Sequence, residues 1–248
     1  MTPWLEPDWP APPGVRVIST LREGGVSAGC YRSLNLGDLV GDDAAHVAEN
    51  RRRLRDAACL PSEPSWLNQV HGVTVADLDQ TRGARSADAS ATRQIGRVCA
   101  ILSADCLPVM LAAESGEVVA AAHAGWRGLA AGVIEATVQT LGLPGGQLLA
   151  WLGPAIGPEH FEVGAEVREA FLAHDHTAEA AFRLNSRGRF MADLGLLAKL
   201  RLERLGIRRI YGGGYCTHAD ADRFFSHRRD GKTGRQASLI WRETVENR

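Results

Sequence analysis

Short apolar runs separated by polar turns fill the middle of the chain, and one run near the start alternates apolar and polar residues. Alternation is typical of a half-buried strand, and an apolar run of five or six residues is consistent with a strand that is fully buried. We therefore predict strands over residues 15–20, 70–78, 98–103, 108–113, 118–122, 148–152, 209–212 and 238–242.

Helical spacing of apolar residues predicts helices between these runs. They extend from a cap at Asp42 or Asp43 to about Cys59, and over residues 129–141, 166–174 and 193–205. Gly142 and Gly206 follow two of them, as expected for a residue that ends helices easily. The polar residues 82–96 are predicted as a loop. Mixed strands and helices favour an α/β or α+β layered fold, without fixing the strand order.

Composition narrows the class of protein. The 248 residues contain no linker-like stretch, so we expect a single domain over residues 1–248. A net charge of −1 disfavours nucleic acid and anionic membranes as partners. The start of the chain does not resemble a secretory signal, and the longest apolar stretch is interrupted by Asp105 and Pro108. Together with an odd number of cysteines, this predicts a cytoplasmic protein with reduced thiols.

Three residues of metal-binding type stand where apolar runs meet turns. His71, Cys106 and His123 each lie beside glycine or proline or interrupt a buried run. Imidazole and thiolate both suit Zn²⁺, and three protein ligands leave the open position of a catalytic site. Spacing alone favours two hydrogen-bonded core histidines and an inert buried thiol over a metal site, because gaps of 35 and 17 residues match no local ligand motif.

Two basic segments are candidate anion sites. Arg127 lies in a glycine-rich turn before the helix predicted at residue 129, and Arg228 and Arg229 lie in a basic, aromatic-flanked stretch. Arginine forms bidentate contacts with phosphate, and a helix start offers free N–H groups. A plain tight turn and a solvated surface loop are the simpler interpretations of the same segments.

Seven motifs in one order nevertheless resemble a single family, the YfiH-like proteins, also called laccase-domain or polyphenol-oxidase-like proteins. The resemblance covers nearly the whole chain. The motifs are SLNLG (33–37), ENR (49–51), QVHG (69–72), ADCLPV (104–109), HAGWRG (123–128), GPAIG (153–157) and FSHRRDG (225–231).

The resemblance implies a layered α-β-β-α sandwich with mixed sheets and a zinc site formed by His71, Cys106 and His123, with copper the less favoured metal. It also implies a purine nucleoside enzyme that phosphorolyses adenosine, inosine, guanosine or methylthioadenosine and deaminates adenosine. Purine nucleoside and phosphate are then the partners. Candidate substrate contacts are Asn35, Arg51, Gln69, Arg127, Arg228 and Arg229. Asp105 would either orient one of the metal-binding side chains without contacting the metal itself, or cap a turn.

Other functions remain open at this stage. Cys106 and His123 would also suit a metal-free dyad that hydrolyses muropeptides, the peptidoglycan precursors. A non-catalytic, zinc-stabilised binding module is a further alternative. A multicopper laccase is disfavoured, because eight histidines with one His-x-His pair and no His-Cys-His are too few for its copper sites.

Overall fold

The structure is a computed structural model, and it describes residues 4–80 and 86–244. Its strands are β1 (Trp4–Leu5), β2 (Val15–Thr20), β3 (Val75–Asp77), β4 (Ala89–Thr92), β5 (Val98–Ser103), β6 (Leu107–Ala113), β7 (Val119–Ala124), β8 (Leu148–Leu152), β9 (Glu162–Val163), β10 (Phe182–Leu184), β11 (Phe190–Ala192), β12 (Arg209–Gly212) and β13 (Gln236–Arg242). Its α-helices are α1 (Ala44–Ala57), α2 (Trp126–Ala131), α3 (Val133–Leu141), α4 (Ala165–Leu172), α5 (Leu194–Arg204) and α6 (His227–Asp230).

The strands form a four-stranded sheet, a six-stranded sheet and a small three-stranded sheet within the described ranges. The four-stranded sheet has the order β1-β2-β13-β5 and is antiparallel throughout. The six-stranded sheet has the order β12-β8-β6-β7-β4-β3, and it is mixed because its two outer pairs are parallel. The small sheet has the antiparallel order β10-β11-β9.

Strand β6 shows how the layers are built, because successive side chains of a strand point to opposite faces. Val109 and Leu111 pack in the cluster formed with helices α3 and α5, whereas Met110 and Ala112 pack between the two larger sheets. Helix α1 covers the other sheet, where Leu54 belongs to a separate cluster. The α-β-β-α sandwich that the resemblance implied is therefore confirmed.

Most predicted elements are confirmed within a few residues. The strands at 15–20, 98–103, 148–152 and 209–212 have the predicted bounds. Asp43 caps α1 by accepting a hydrogen bond from the Ala45 N–H, and Asp193 caps α5 by accepting one from the Leu196 N–H. Local signals were sufficient here because each element carries its own apolar pattern and its own cap.

Two predictions around residue 80 are wrong. Residues 70–78 do not form one strand, because His71 has a left-handed φ of 60° and only Val75–Asp77 pairs. The predicted loop 82–96 contains the buried strand β4, although residues 82–85 of that range lie outside the described residues. The small side chains of β4 are buried on both faces and show no alternation, so the pattern resembled a loop.

The predicted helix 129–141 is instead two helices. It begins earlier, at Trp126, and breaks at Gly132, whose φ of 102° is left-handed. The Gly132 N–H donates to the carbonyls of Gly128 and Leu129 and closes α2, and α3 starts immediately afterwards. Glycine adopts this conformation without the steric cost of a Cβ.

The chain crosses between the two larger sheets at one end of the sandwich. Strand β5 belongs to the four-stranded sheet and β6 to the six-stranded sheet, so residues 104–106 bridge the sheets. Strand β7 ends beside this crossing, because Leu107 and Ala124 are register partners. Among the described helices, none is long and apolar enough to cross a membrane.

Candidate functional site

The crossing between the sheets brings the three candidate ligands together. Cys106 directly precedes β6, and His123 lies near the end of β7, where its Cα pairs with that of Pro108. His71 lies in the left-handed turn before β3. Three sequence-distant segments thus present one polar side chain each at the same end of the sandwich.

Their ligand atoms converge to within 4.8 Å of one another. The Cys106 Sγ lies 3.9 Å from the His71 Nε2, and the two imidazole ring centres are 4.9 Å apart. Of all the cysteine, histidine, aspartate and glutamate side chains in the described ranges, no other three come together in this way. One imidazole–thiolate–imidazole set is therefore available to a metal ion.

Asp88 organises this set, and no pattern in the sequence pointed to it. Its buried carboxylate accepts hydrogen bonds from the backbone N–H groups of Val70, His71 and Gly72, at 3.1, 2.9 and 2.7 Å. The same carboxylate lies 2.9 Å from the His123 Nδ1. A carboxylate only accepts hydrogen bonds, so Nδ1 carries the proton and Nε2 is left for a ligand.

Charge in the site follows from these contacts. Burial works against ionisation of Asp88, but the hydrogen bonds from His123, Gly72 and Val70 outweigh it and lower the pKa of the carboxyl. Burial also opposes the Cys106 thiolate, yet the charges and hydrogen bonds of His123 and His71 lower its pKa to about 6. His123 is disfavoured as a cation by burial, but Cys106 and Asp88 raise its pKa. Both shifts favour a thiolate beside an imidazolium when no metal ion is bound.

Gly125 and Gly128 allow the chain after β7 to pass close to the ligands. A Cβ at Gly125 would lie 2.9 Å from the Cys106 Sγ and 3.0 Å from the His71 Cδ2. A Cβ at Gly128 would lie 3.0 Å from the backbone oxygen of Gly72. The HAGWRG motif thus has glycine at these two positions because there is no room for a Cβ beside the ligands and the His71 turn.

Asp105 holds the crossing rather than a ligand side chain. It has a left-handed φ of 95°, its Oδ1 accepts a hydrogen bond from the Thr217 Oγ1, and its Oδ2 accepts one from the Arg228 N–H. Of the two roles predicted for Asp105, the observed contacts correspond to the turn-holding one. By tying residues 217 and 228 to the crossing, Asp105 places the basic loop next to Cys106.

A cleft of about 510 Å³ opens over the three ligands. Its apolar wall includes Leu39, Leu67, Leu102, Ile156 and Phe161, and its polar wall includes Gln69, Arg127, His227, Arg228 and Arg235. An apolar pocket with a few polar groups is typical of a small-molecule site. The volume and lining are suitable for a ligand that has one flat apolar part and one charged part.

Three of the six predicted substrate residues line this cleft. They are Gln69, Arg127 and Arg228. The amide of Gln69 is already used, since it donates to the Leu102 carbonyl and accepts from the Leu102 N–H, both at 2.8 Å. Of these three, only the two arginines offer charged donors to a ligand.

The other three do not line the cleft, for reasons that the contacts make clear. The buried amide of Asn35 is saturated by hydrogen bonds that include the Gly37 N–H and the Arg235 N–H. Arg51 donates to the Leu36 carbonyl and stacks on Trp66. Arg229 donates to backbone carbonyls, including that of Thr217, and to Asp230. These side chains support loops around the site.

Sequence reasoning also missed Arg235 and His227 as cleft residues. His227 was noted only within a motif, and its Nδ1 lies 2.6 Å from the Gly231 carbonyl, which fixes that nitrogen as the donor. Arg235 lies a few residues after Arg228 and Arg229, outside every motif singled out in the sequence. Nothing local distinguishes either from a surface residue, because their positions depend on how the last loop folds back.

Comparison with known proteins gives matches over nearly the whole chain. A family model described as multi-copper polyphenol oxidoreductase laccase matches residues 16–243. A purine nucleoside phosphorylase of Pseudomonas aeruginosa is 56% identical, over 97% of this chain and 99% of its own length. The purine nucleoside phosphorylase YfiH of Escherichia coli is 51% identical, with the same coverage of 97% and 99%.

Two solved structures share the fold over nearly their full length. A crystal structure of a Neisseria meningitidis protein, described by the family model DUF152, has a TM-score of 0.94 and 46% identity, covering 98% of this chain and 100% of that one. The crystal structure of YlmD from Geobacillus stearothermophilus has a TM-score of 0.88 and 31% identity, covering 97% and 96%.

Proposed function

Since this chain belongs to the YfiH-like family of laccase-domain proteins, we propose that it is a zinc-dependent purine nucleoside enzyme. The proposed reactions are the phosphorolysis of adenosine, inosine, guanosine or methylthioadenosine and the deamination of adenosine. The observation that carries the proposal is the convergence of His71, Cys106 and His123 under a cleft that also contains unpaired arginines. The names of the relatives support the phosphorylase part.

The donor set fits zinc. Two imidazole nitrogens and one thiolate are ligands that Zn²⁺ binds readily, and three protein ligands are the number typical of a catalytic site. The low pKa of Cys106 favours the thiolate that a metal requires, and Asp88 holds the His123 tautomer with Nε2 free. Zinc bound here would supply Lewis acidity to polarise a substrate oxygen or activate water.

A laccase reaction fits this site poorly, although the matching family model is described as a laccase. Laccases need one blue-copper site and a three-copper cluster, and therefore many histidines. Across the described part of the chain, His71, Cys106 and His123 form the single candidate cluster. The pair His174 and His176 lies elsewhere, flanking Asp175, whose carboxylate accepts a hydrogen bond from the Thr177 N–H and pairs with Arg204.

The chain's own residues would divide the work. Asp88 keeps His123 and the His71 turn in place, and Gln69 ties that turn to the end of β5. The apolar wall would hold the purine and exclude water from its ring faces, because transfer of these apolar faces out of water is favourable. Arg127 and Arg228 would orient the phosphate, since guanidinium groups donate to two of its oxygens at once.

A hydrolase of muropeptides is the second candidate. It is favoured by one observation, namely that the Asp88 carboxylate lies 2.9 Å from the His123 imidazole beside Cys106, whose lowered pKa favours the thiolate. Chelation separates the two functions. A metal-free dyad would keep its activity after chelation, whereas the proposed nucleoside enzyme would lose turnover. A non-catalytic zinc-stabilised module would lose thermal stability and have no turnover to lose.

The deciding experiment is chromatographic analysis of adenosine and inosine incubated with zinc-loaded protein, with and without phosphate. Phosphate-dependent release of hypoxanthine from inosine indicates phosphorolysis, and phosphate-independent conversion of adenosine to inosine indicates deamination. If neither nucleoside is consumed, the nucleoside function is rejected. We further propose one catalytic domain over residues 1–248 and a cytoplasmic location, which suits the five unpaired cysteines.

A further inference from the structure

Three arginine side chains line the cleft without a carboxylate partner. They are Arg127, Arg228 and Arg235, and none takes part in an ion pair within the described residues. The arginines of α1 are different, because Arg52 and Arg53 both pair with Glu49. Three unpaired cations on one concave surface raise the local positive potential, although the whole chain has a net charge of −1.

Neutral groups hold each of these side chains in place. The Arg127 guanidinium lies 4.5 Å from the ring centre of Trp126, and that of Arg228 lies 5.2 Å from the ring centre of Phe161. Arg235 donates from its Nη1 to two backbone carbonyls, both at 2.9 Å. Aromatic faces and carbonyls orient a guanidinium but leave its full charge available to an anion.

Arg235 is the most enclosed of the three. Its stem packs so closely on Gly37 that a Cβ there would lie 2.8 Å from the Arg235 Cγ. Burial lowers the pKa of Arg235, while Cys106 and Asp105 act in the opposite direction. Among the described residues its Nε and Nη2 have no hydrogen-bond acceptor, whereas the Nη1 has two. A half-buried cation of this kind is stabilised when an anion enters beside it.

The carboxylates that line the cleft are already engaged. Asp38 lies 3.4 Å from the Arg51 guanidinium, which is outside the cleft. Asp105 accepts hydrogen bonds from Thr217 and from the Arg228 backbone N–H, both at 2.6 Å. Neither carboxylate is bonded to the guanidinium of a cleft arginine, so the three guanidinium groups remain available to a ligand.

We infer that Arg235 is the anchor of a phosphate subsite that it forms together with Arg127 and Arg228. The inference rests on the proposed phosphorylase function and adds to it a residue for the phosphate group. Orthophosphate would occupy the subsite in phosphorolysis, and the phosphate of ribose 1-phosphate in the reverse direction. In the forward step a phosphate oxygen bonds to ribose C1′ as the C1′–N9 bond breaks, and the purine leaves with the electron pair and takes up a proton.

Calorimetric titration with orthophosphate and, separately, with ribose 1-phosphate tests this subsite in zinc-loaded protein. Arg235→Gln should weaken both ligands about 10- to 100-fold, because it removes a charge-assisted hydrogen-bond donor. Arg235→Lys keeps the charge but loses the fork and should be intermediate. Lys232→Gln is the matched control, since it removes a cation of the same loop that lies against Tyr31 outside the cleft, and should change affinity less than about twofold.

Steady-state phosphorolysis provides a second readout. Arg235→Gln should raise the KM for phosphate about 10- to 100-fold, whereas the control Lys232→Gln should leave that KM within about twofold of the unmodified enzyme. Unchanged phosphate affinity in a folded, zinc-containing Arg235→Gln protein would overturn the subsite. So would an unmodified protein that binds neither phosphate nor ribose 1-phosphate at millimolar concentration. Arg235-dependent phosphate binding without any nucleoside turnover would support the subsite and reject the proposed function.

Discussion

Cys99 and Cys106 lie on the same short segment of chain, yet the structure gives them opposite chemistry. Cys99 is fully buried in the middle of β5, and burial raises the pKa of its thiol to about 12. Cys106 lies where the chain leaves β5 for β6, and its two histidine neighbours lower its pKa to about 6. Burial opposes the thiolate in both places, so the difference comes from the charged groups gathered at the strand ends.

The comparison separates two regions of the sandwich. Side chains in the middle of the sheets face apolar neighbours and stabilise the fold by burial. Side chains at the crossing face one another, because three strand ends and one turn meet there. The reactivity of a cysteine is therefore expected to depend on its position along a strand, and not on its residue type alone.

Removal of Cys106 should have the largest effect. Cys106→Ala should lose most of the bound zinc and at least about a thousandfold in turnover, since a catalytic metal contributes several kcal/mol to transition-state stabilisation. Metal analysis and kinetics measure the two losses. Cys99→Ala is the control, and it should keep zinc and turnover while losing about 1–2 kcal/mol of unfolding free energy to the cavity. Full zinc retention by Cys106→Ala would disprove the ligand assignment.

The next prediction concerns the pH dependence of the two thiols. A thiolate is the reactive form, so alkylation of Cys106 in chelated protein should rise with pH and reach half its maximum near pH 6. Cys99 should stay unmodified up to about pH 9 unless the protein unfolds. Mass spectrometry of iodoacetamide-treated protein over pH 5 to 9 measures both. Equal reactivity of the two cysteines in folded protein would contradict the assigned difference.

A substitution at Asp88 tests whether hydrogen bonds to this carboxylate hold the ligand residues of the crossing in place. Asp88→Asn keeps the shape but weakens acceptance from the His71 turn and His123, and it should lower zinc affinity about 10- to 100-fold. Asp79→Asn is a matched control, because that carboxylate caps residues at the other end of β4, where it accepts from Arg93. Competition with a zinc-binding dye measures affinity. If both variants lose zinc equally, the effect is one of fold stability.

Elements that carry their own local pattern could be predicted from the sequence. Features that depend on contacts between distant segments could not. The apolar runs of β5, β6 and β8 are visible because both faces of each strand are buried. Strand β4 was hidden by its small side chains. Asp88 was missed for the same reason, since it lies just before β4 and acquires its role only through contacts with residues 70–72 and 123.

The arginine side chains show the same limit of prediction from sequence. The sequence marked Arg51, Arg127, Arg228 and Arg229 as candidates by motif, and only two of them reach the cleft. Arg235 reaches it from a position with no distinguishing neighbour. A long flexible side chain can point to either side of its loop, so its position is decided by packing partners such as Gly37.

The smallest expected effect comes from filling space beside the ligands. Gly125 has φ of −62° and ψ of 155°, which any residue adopts, so Gly125→Ala introduces no backbone strain. Its Cβ would nevertheless press on the Cys106 Sγ at 2.9 Å, and overpacking of this kind costs about 1–3 kcal/mol. We expect zinc affinity to fall about tenfold as the thiolate shifts, with a smaller loss of thermal stability.

Gly146→Ala is the control because a Cβ there meets nothing within 4 Å, and it should change neither quantity. Zinc competition and thermal unfolding of the two variants measure the difference. Normal zinc affinity in Gly125→Ala would mean that Cys106 has room to move, and that the crossing is less tightly built than the interior of the sheets.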